Sequence, residues 1–134
     1  MTKRLMIVDD SPVMRSFVRR TLMIAGLEME SCAEASNGAE ALEQLEHGPV
    51  DLILTDINMP VLDGEGLLRA LQVDAEFRKI PVVVVSTDST EQRVDTLLGM
   101  GARGYVKKPF PPERLSQVLT EIFPDWAQSS GADF

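Results

Sequence analysis

Short apolar runs alternate with segments of helical periodicity along almost the whole chain, and this alternation restricts the fold more than any other feature. The runs fall at residues 5–8, more weakly near 28–33, then at 50–55, 82–85 and 104–107. Leu5-Met6-Ile7-Val8 is continuously apolar, as a strand buried on both faces requires. Val82-Val83-Val84-Val85 is β-branched throughout, with Pro81 at its edge. Between the runs, Ser11-Pro12 supplies an N-cap and a proline at the first helical position. The segment after it sets Val13, Met14, Phe17, Val18, Thr21, Leu22 and Ala25 on one stripe, and Gly26 can end it. Asn37-Gly38-Ala39-Glu40 has the form of a capping box, with Ala41, Leu42 and Leu45 as the buried face. Asp63 can cap a helix carrying Leu67, Leu68 and Leu71. A further helix over about 89–100 presents Val94, Leu97 and Leu98, and Pro111-Pro112 opens a last one carrying Leu115, Val118, Leu119, Ile122 and Phe123.

Five strands alternating with five helices predict an α/β, doubly wound (βα)5 fold: a five-stranded parallel sheet with helices on both faces and right-handed crossovers. A chain of 134 residues suits one domain, and no repeat, low-complexity block or linker divides it. The expected domain is 1–123, followed by a polar tail over 124–134 that frays; Trp126 within it either folds back or meets a partner. Too few residues follow position 123 for a separate output module, so output is expected through protein contact. The formal net charge of −8 disfavours nucleic acid and anionic membrane surfaces. No apolar stretch reaches the length of a membrane span or a secretory h-region, and the single cysteine, Cys32, suits a reducing compartment. A cytoplasmic location is expected.

In an open parallel sheet, ligands bind beyond the carboxyl ends of the strands, where strand order reverses. The residues at those ends are Asp9 and Asp10, Asp56, Ser86-Thr87 and Lys108. In the flavodoxin-like order 2-1-3-4-5 the four strands that carry them are neighbours, so three carboxylates, a hydroxyl and an ammonium converge. Two like charges about 4 Å apart repel by roughly 4 kcal/mol at an effective dielectric near 20. Lys108 offsets one charge, and a hard divalent cation held by oxygen ligands offsets the rest. Mg²⁺ fits, with Mn²⁺ as a substitute; without histidine or cysteine in the set, zinc and copper do not.

Val8-Asp9-Asp10-Ser11, Asp56-Ile57-Asn58-Met59-Pro60 with Asp63-Gly64, Ser86 at a strand end, and Gly104-Tyr105-Val106-Lys107-Lys108-Pro109-Phe110 together resemble the receiver domain of bacterial response regulators. The resemblance runs from about residue 3 to 123 and is greatest with the single-domain chemotaxis (CheY-type) members, a family whose strand order is itself 2-1-3-4-5. It implies that Asp56 is the phosphoacceptor. It also implies a Mg²⁺ ligated by Asp10, by Asp56, by Asp9 largely through water and by the backbone carbonyl of Asn58. Ser86 would hydrogen-bond one phosphoryl oxygen and Lys108 pair with another, while Tyr105 would turn inward as the switch aromatic. Pro109 would follow a cis peptide bond. Asn58, Thr87 and Asp88 would tune hydrolysis; Thr87 stands where the family usually has alanine or glycine, so it is expected to restrict attacking water and lengthen the phosphoryl lifetime. The implied partners are a sensor histidine kinase or phosphotransfer protein and a target on the face of the fourth helix, fifth strand and fifth helix, with a monomer or a phosphorylation-dependent dimer as the assembly. No enzymatic activity is implied beyond the chain's own phosphoryl transfer and dephosphorylation.

Taken singly, these features have plainer readings. Asp9-Asp10 can be a capping acid with a solvated neighbour, Asp63-Gly64 a turn, and Lys107-Lys108 surface charge. Their joint order and spacing favour the receiver reading. The competing functions are a Mg²⁺-dependent phosphatase forming an aspartyl-phosphate, a pseudo-receiver that is never phosphorylated, and a flavodoxin-like nucleotide binder. The phosphatase signature sets two acids two residues apart after the first strand, whereas here they are adjacent. The nucleotide binder lacks a glycine-rich loop after that strand.

Overall fold

The structure, a computed structural model, describes residues 2–87 and 90–126. The strands are β1 (Lys3–Val8), β2 (Met29–Ala35), β3 (Leu52–Thr55), β4 (Val82–Ser86) and β5 (Gly104–Lys107); the helices are α1 (Pro12–Ile24), α2 (Gly38–Leu45), α3 (Gly64–Gln72), α4 (Glu91–Gly99) and α5 (Pro112–Ile122). All strand pairs are parallel, and the order is β2-β1-β3-β4-β5. The expected doubly wound sheet is what forms. A short 3-10 turn at Phe77–Lys79, which the periodicity does not signal, enters β4.

Successive strand residues point to opposite faces, and both faces are covered. Leu5, Ile7, Leu52, Leu54, Val83, Val85 and Val106 pack with Val18 and Leu22 of α1 and Leu115 and Leu119 of α5. Their neighbours Met6, Val8, Ile53, Val82 and Val84 pack with Ala41, Leu45, Leu67, Leu68, Leu71 and Leu97 of the other three helices. β2 is an edge strand with a half-exposed pattern, which explains its weak apolar signal.

The local signals act largely as expected. Ser11, Asn37 and Asp63 accept hydrogen bonds from the backbone N–H groups of Met14, Glu40 and Gly66. Glu40 departs from the capping-box pattern in that its carboxylate accepts from Ser36 Oγ at 2.8 Å. The α1 stripe is narrower than its sequence suggests. Val18, Thr21 and Leu22 are buried, but Val13 is 76% exposed and Phe17 40% exposed, its ring meeting Phe110 edge-on. The apolar residues of its first turns are thus only partly covered, so apolarity there is not burial.

Trp126 folds back. It is fully buried in the α1–α5 core, donates Nε1–H to the Glu28 carbonyl at 2.7 Å and meets the Phe123 ring edge-on. Packing thus continues three residues beyond the expected boundary at 123; positions 127–134 lie outside the described residues. Cys32 is half-buried beside the same core, and burial pushes its thiol pKa up, as suits a packing residue rather than a reactive one.

Candidate functional site

Strand register brings the acids together. Val8 of β1 is level with Thr55 of β3, so the next residues, Asp9 and Asp56, emerge side by side. The Asp56 N–H donates to the Val8 carbonyl at 2.9 Å and the Asp9 N–H to the Ala35 carbonyl at 3.0 Å, carrying the parallel pairing one step past the strand ends. With Asp10 they form a cluster in which one carboxylate oxygen from each residue lies within 4.8 Å of the others.

Lys108 reaches this cluster from the other side. Ser86 is level with Lys107, and the Ser86 carbonyl accepts from the Lys108 N–H at 2.9 Å, which locks the end of β5 to the end of β4. The Lys108–Pro109 bond is cis, as the resemblance implies, and Phe110 anchors the loop in the core. Lys108 Nζ lies 2.9 Å from Asp9 Oδ2 and 3.5 Å from Asp56 Oδ2. Asp9 and Lys108 are both nearly buried, and each partner offsets the cost of removing the other from water. The Asp9 Oδ1 accepts from the Ser11 N–H, and the Asp56 Oδ1 from the Ile57 N–H at 2.7 Å. Asp56 Oδ2 is therefore the oxygen turned toward Lys108.

Three carboxylates against one ammonium leave a formal charge of −2, and all the donors are hard oxygens. This set fits a divalent hard cation and does not fit zinc or copper. Ser86 is wholly buried at the end of β4 and Thr87 beside it is exposed. Asn58 is exposed after the buried Ile57. Tyr105 is half-buried on β5 with its ring packed against the core shared by α2, α3 and α4. Asp88 lies outside the described residues.

Three supports of the site carry weaker sequence signals. Gly64, the first residue of α3, packs directly on the Asp56 backbone: its N–H donates to the Ile57 carbonyl at 2.7 Å, and an added Cβ would collide with the Asp56 carbonyl oxygen and lie 2.9 Å from Ile57 Cα. The motif Asp63-Gly64 is readable, but that contact is not. Val61 adopts a φ of 69°, with the Leu62 N–H closing a turn onto the Pro60 carbonyl at 2.8 Å. A valine does not advertise that conformation. Arg15 donates to the Asp9 carbonyl at 2.6 Å, and only a long-range contact could reveal it. A surface cleft of about 810 Å³ beside Arg19, Met23, Leu27 and Cys32 lies toward the start of β2 and includes none of Asp9, Asp10 and Asp56. The three aspartates and Lys108 gather elsewhere, beyond the carboxyl ends of β1, β3 and β5.

Comparisons with known proteins agree with this geometry. The family model described as "Response regulator receiver domain" matches residues 5–120. The chemotaxis protein CheY1 of Helicobacter pylori is 35% identical over 120 residues, covering 89% of this chain and 95% of that protein. The chemotaxis response regulator CheY4 of Vibrio cholerae superposes with a TM-score of 0.77 at 31% identity, over 92% of this chain and 100% of that one. A receiver domain of a Pseudomonas aeruginosa sensor histidine kinase, solved with magnesium coordinated in its active-site cleft, has the same fold at a TM-score of 0.77 and 23% identity, over 96% of this chain and 99% of that one. Strand order, the acid cluster with its lysine, and similarity over nearly the full length lead to one conclusion: this chain belongs to the receiver domain family of response regulators and is similar to its CheY-type chemotaxis members.

Proposed function

We propose that the chain is a phosphoacceptor switch of a two-component system, taking a phosphoryl group on Asp56 from a sensor histidine kinase or phosphotransfer protein. The observation that carries this reading is the meeting of three strand-end carboxylates with Lys108. Asp56 Oδ2 would attack the phosphorus in line. A P–O bond forms to Asp56, the donor's P–N or P–O bond breaks, and the leaving group departs with the electron pair. Such a transfer depends on positioning and charge neutralisation more than on a general base. Asp9, Asp10, Asp56 and the Asn58 carbonyl would hold Mg²⁺, which when bound neutralises charge on the transferring group; the magnesium coordinated in the active-site cleft of the Pseudomonas aeruginosa receiver domain supports this reading. Lys108 would turn from Asp9 to a phosphoryl oxygen, and the Ser86 hydroxyl would donate to another. Drawing Ser86 toward the phosphoryl group makes room for Tyr105 to turn inward, and this alters the surface of α4, β5 and α5 that a target protein reads. Asn58 and Thr87, with Asp88, would set the rate of hydrolysis. No helix among the described residues is long and apolar enough to cross a membrane.

The test combines intact mass with hydrogen exchange after incubation with Mg²⁺ and acetyl phosphate. The switch reading expects one added phosphoryl group per chain and altered exchange confined largely to α4, β5 and α5. Sustained turnover of phosphate esters would favour the phosphatase instead, and no transfer from either acetyl phosphate or a histidine-kinase donor would make the chain a pseudo-receiver.

A further inference from the structure

We infer that Arg15 is a positioning residue for the cation site, holding the Asp9–Asp10 peptide so that both carboxylates face the cleft; the inference rests on the Mg²⁺ reading above. Arg15 belongs to α1, and its side chain is only 16% exposed. One guanidinium nitrogen donates to the Asp9 backbone carbonyl at 2.6 Å, while Nε donates to Glu34 Oε1 of β2 at 2.8 Å. The Asp9 carbonyl is part of the peptide plane shared with Asp10, so fixing it restricts ψ of Asp9 and φ of Asp10 together.

Asp10 depends on this grip more than its neighbours do. Asp9 is held through its own side chain by Lys108 and the Ser11 N–H, and Asp56 by Lys108 and the Ile57 N–H. Among the described residues, no hydrogen bond or ion pair is seen at the exposed Asp10 carboxylate. The direction of its Cα–Cβ bond is set by its backbone, and Arg15 holds the peptide that precedes it. Glu34 has a double part: it steers the guanidinium and cancels its charge, so Arg15 positions the ligands without adding a net positive charge that would repel a cation.

Partners that orient metal ligands without touching the metal typically change affinity by about 10- to 100-fold when lost. The decisive variant is the charge-balanced pair Arg15→Met with Glu34→Gln, which removes the grip and leaves the net charge unchanged. Mg²⁺ affinity would be measured calorimetrically on metal-stripped protein without any phosphodonor, together with the melting temperature in chelator. The expected result is a loss of about tenfold or more in affinity. Arg15→Met alone is the second variant. It leaves the Glu34 charge in place, which favours a cation, so a loss of affinity there supports positioning still more strongly and a gain overturns it. A lower melting temperature in chelator with unchanged affinity would mean that Arg15 is only structural, and would also overturn the inference. The two readings separate cleanly: if the wild type binds Mg²⁺ and Asp9→Asn weakens it but the Arg15 variants do not, only the Arg15 inference falls. If the wild type binds no Mg²⁺, the cation site falls and takes this inference with it.

Discussion

Replacing Gly64 with alanine tests whether Asp56, the proposed phosphoacceptor, is held by backbone packing. Gly64 begins α3 eight positions after Asp56, and the two backbones touch. An alanine Cβ would meet the Asp56 carbonyl oxygen, and would sit 2.9 Å from Ile57 Cα where ordinary contact begins near 3.4 Å. Neither obstacle can rotate away, because both are main-chain atoms, so α3 must part from the end of β3 by several tenths of an ångström or more. Overpacking of this kind costs about 1–3 kcal/mol, against which the helix propensity of alanine returns at most about 1 kcal/mol. The same shift displaces the Asp56 carboxylate, and a misplacement near 1 Å can slow a reaction by about 100-fold. Gly99 is the control. It is the last residue of α4 with nothing near its would-be Cβ, so Gly99→Ala should stabilise by at most about 1 kcal/mol and leave phosphorylation unchanged. Urea unfolding and the initial rate of phosphorylation by acetyl phosphate measure both. A Gly64→Ala protein that matched the wild type in midpoint and rate would refute the packing account.

Val61→Asn should raise the unfolding free energy by about 1 kcal/mol, because Val61 is exposed and asparagine tolerates its φ of 69° better; a lowered urea midpoint would contradict this. Trp126→Ala should cost about 3–5 kcal/mol, and Trp126→Phe about 1–3 kcal/mol, since phenylalanine leaves the Glu28 carbonyl without its indole donor. Melting temperatures near the wild-type value in both would show that Trp126 is not a core residue. The Arg4 guanidinium holds the Asp51 carboxyl below the usual carboxylate range, with a smaller opposing effect of burial. Such a depressed group stabilises the fold above its unfolded pKa of about 4 and loses that contribution as pH falls through its lower folded value. The difference in urea midpoint between wild type and Asp51→Asn should therefore be present at pH 7 and shrink below about pH 4; a difference that grew with acid would contradict it.

The strands that sequence marks clearly are those buried on both faces: residues 5–8 of β1 and 82–85 of β4 are continuous apolar runs because neither face meets water. β2, with one neighbour and one open edge, needs no such run and gives a faint signal. The acid site is legible for a topological reason, since its members stand immediately after strands and parallel register then aligns them. What sequence does not show is contact across distance. Trp126 reads as tail because its surroundings in the chain are polar, yet its hydrogen-bond partner lies 98 positions earlier. The grip of Arg15 on Asp9 and the press of Gly64 on Asp56 likewise depend on how helices seat against strand ends. Val13 and Phe17 err in the opposite sense, for helical periodicity reports an apolar face without saying what covers it.

The most direct measurement crosses two variables, Asp56 against Asp56→Asn and Mg²⁺ against chelator, and reads phosphorylation by intact mass with a single phosphodonor. A gain of one phosphoryl group only where Asp56 and Mg²⁺ are both present is the predicted result. Equal phosphorylation of Asp56→Asn, or transfer that proceeds undiminished in chelator, would contradict the account.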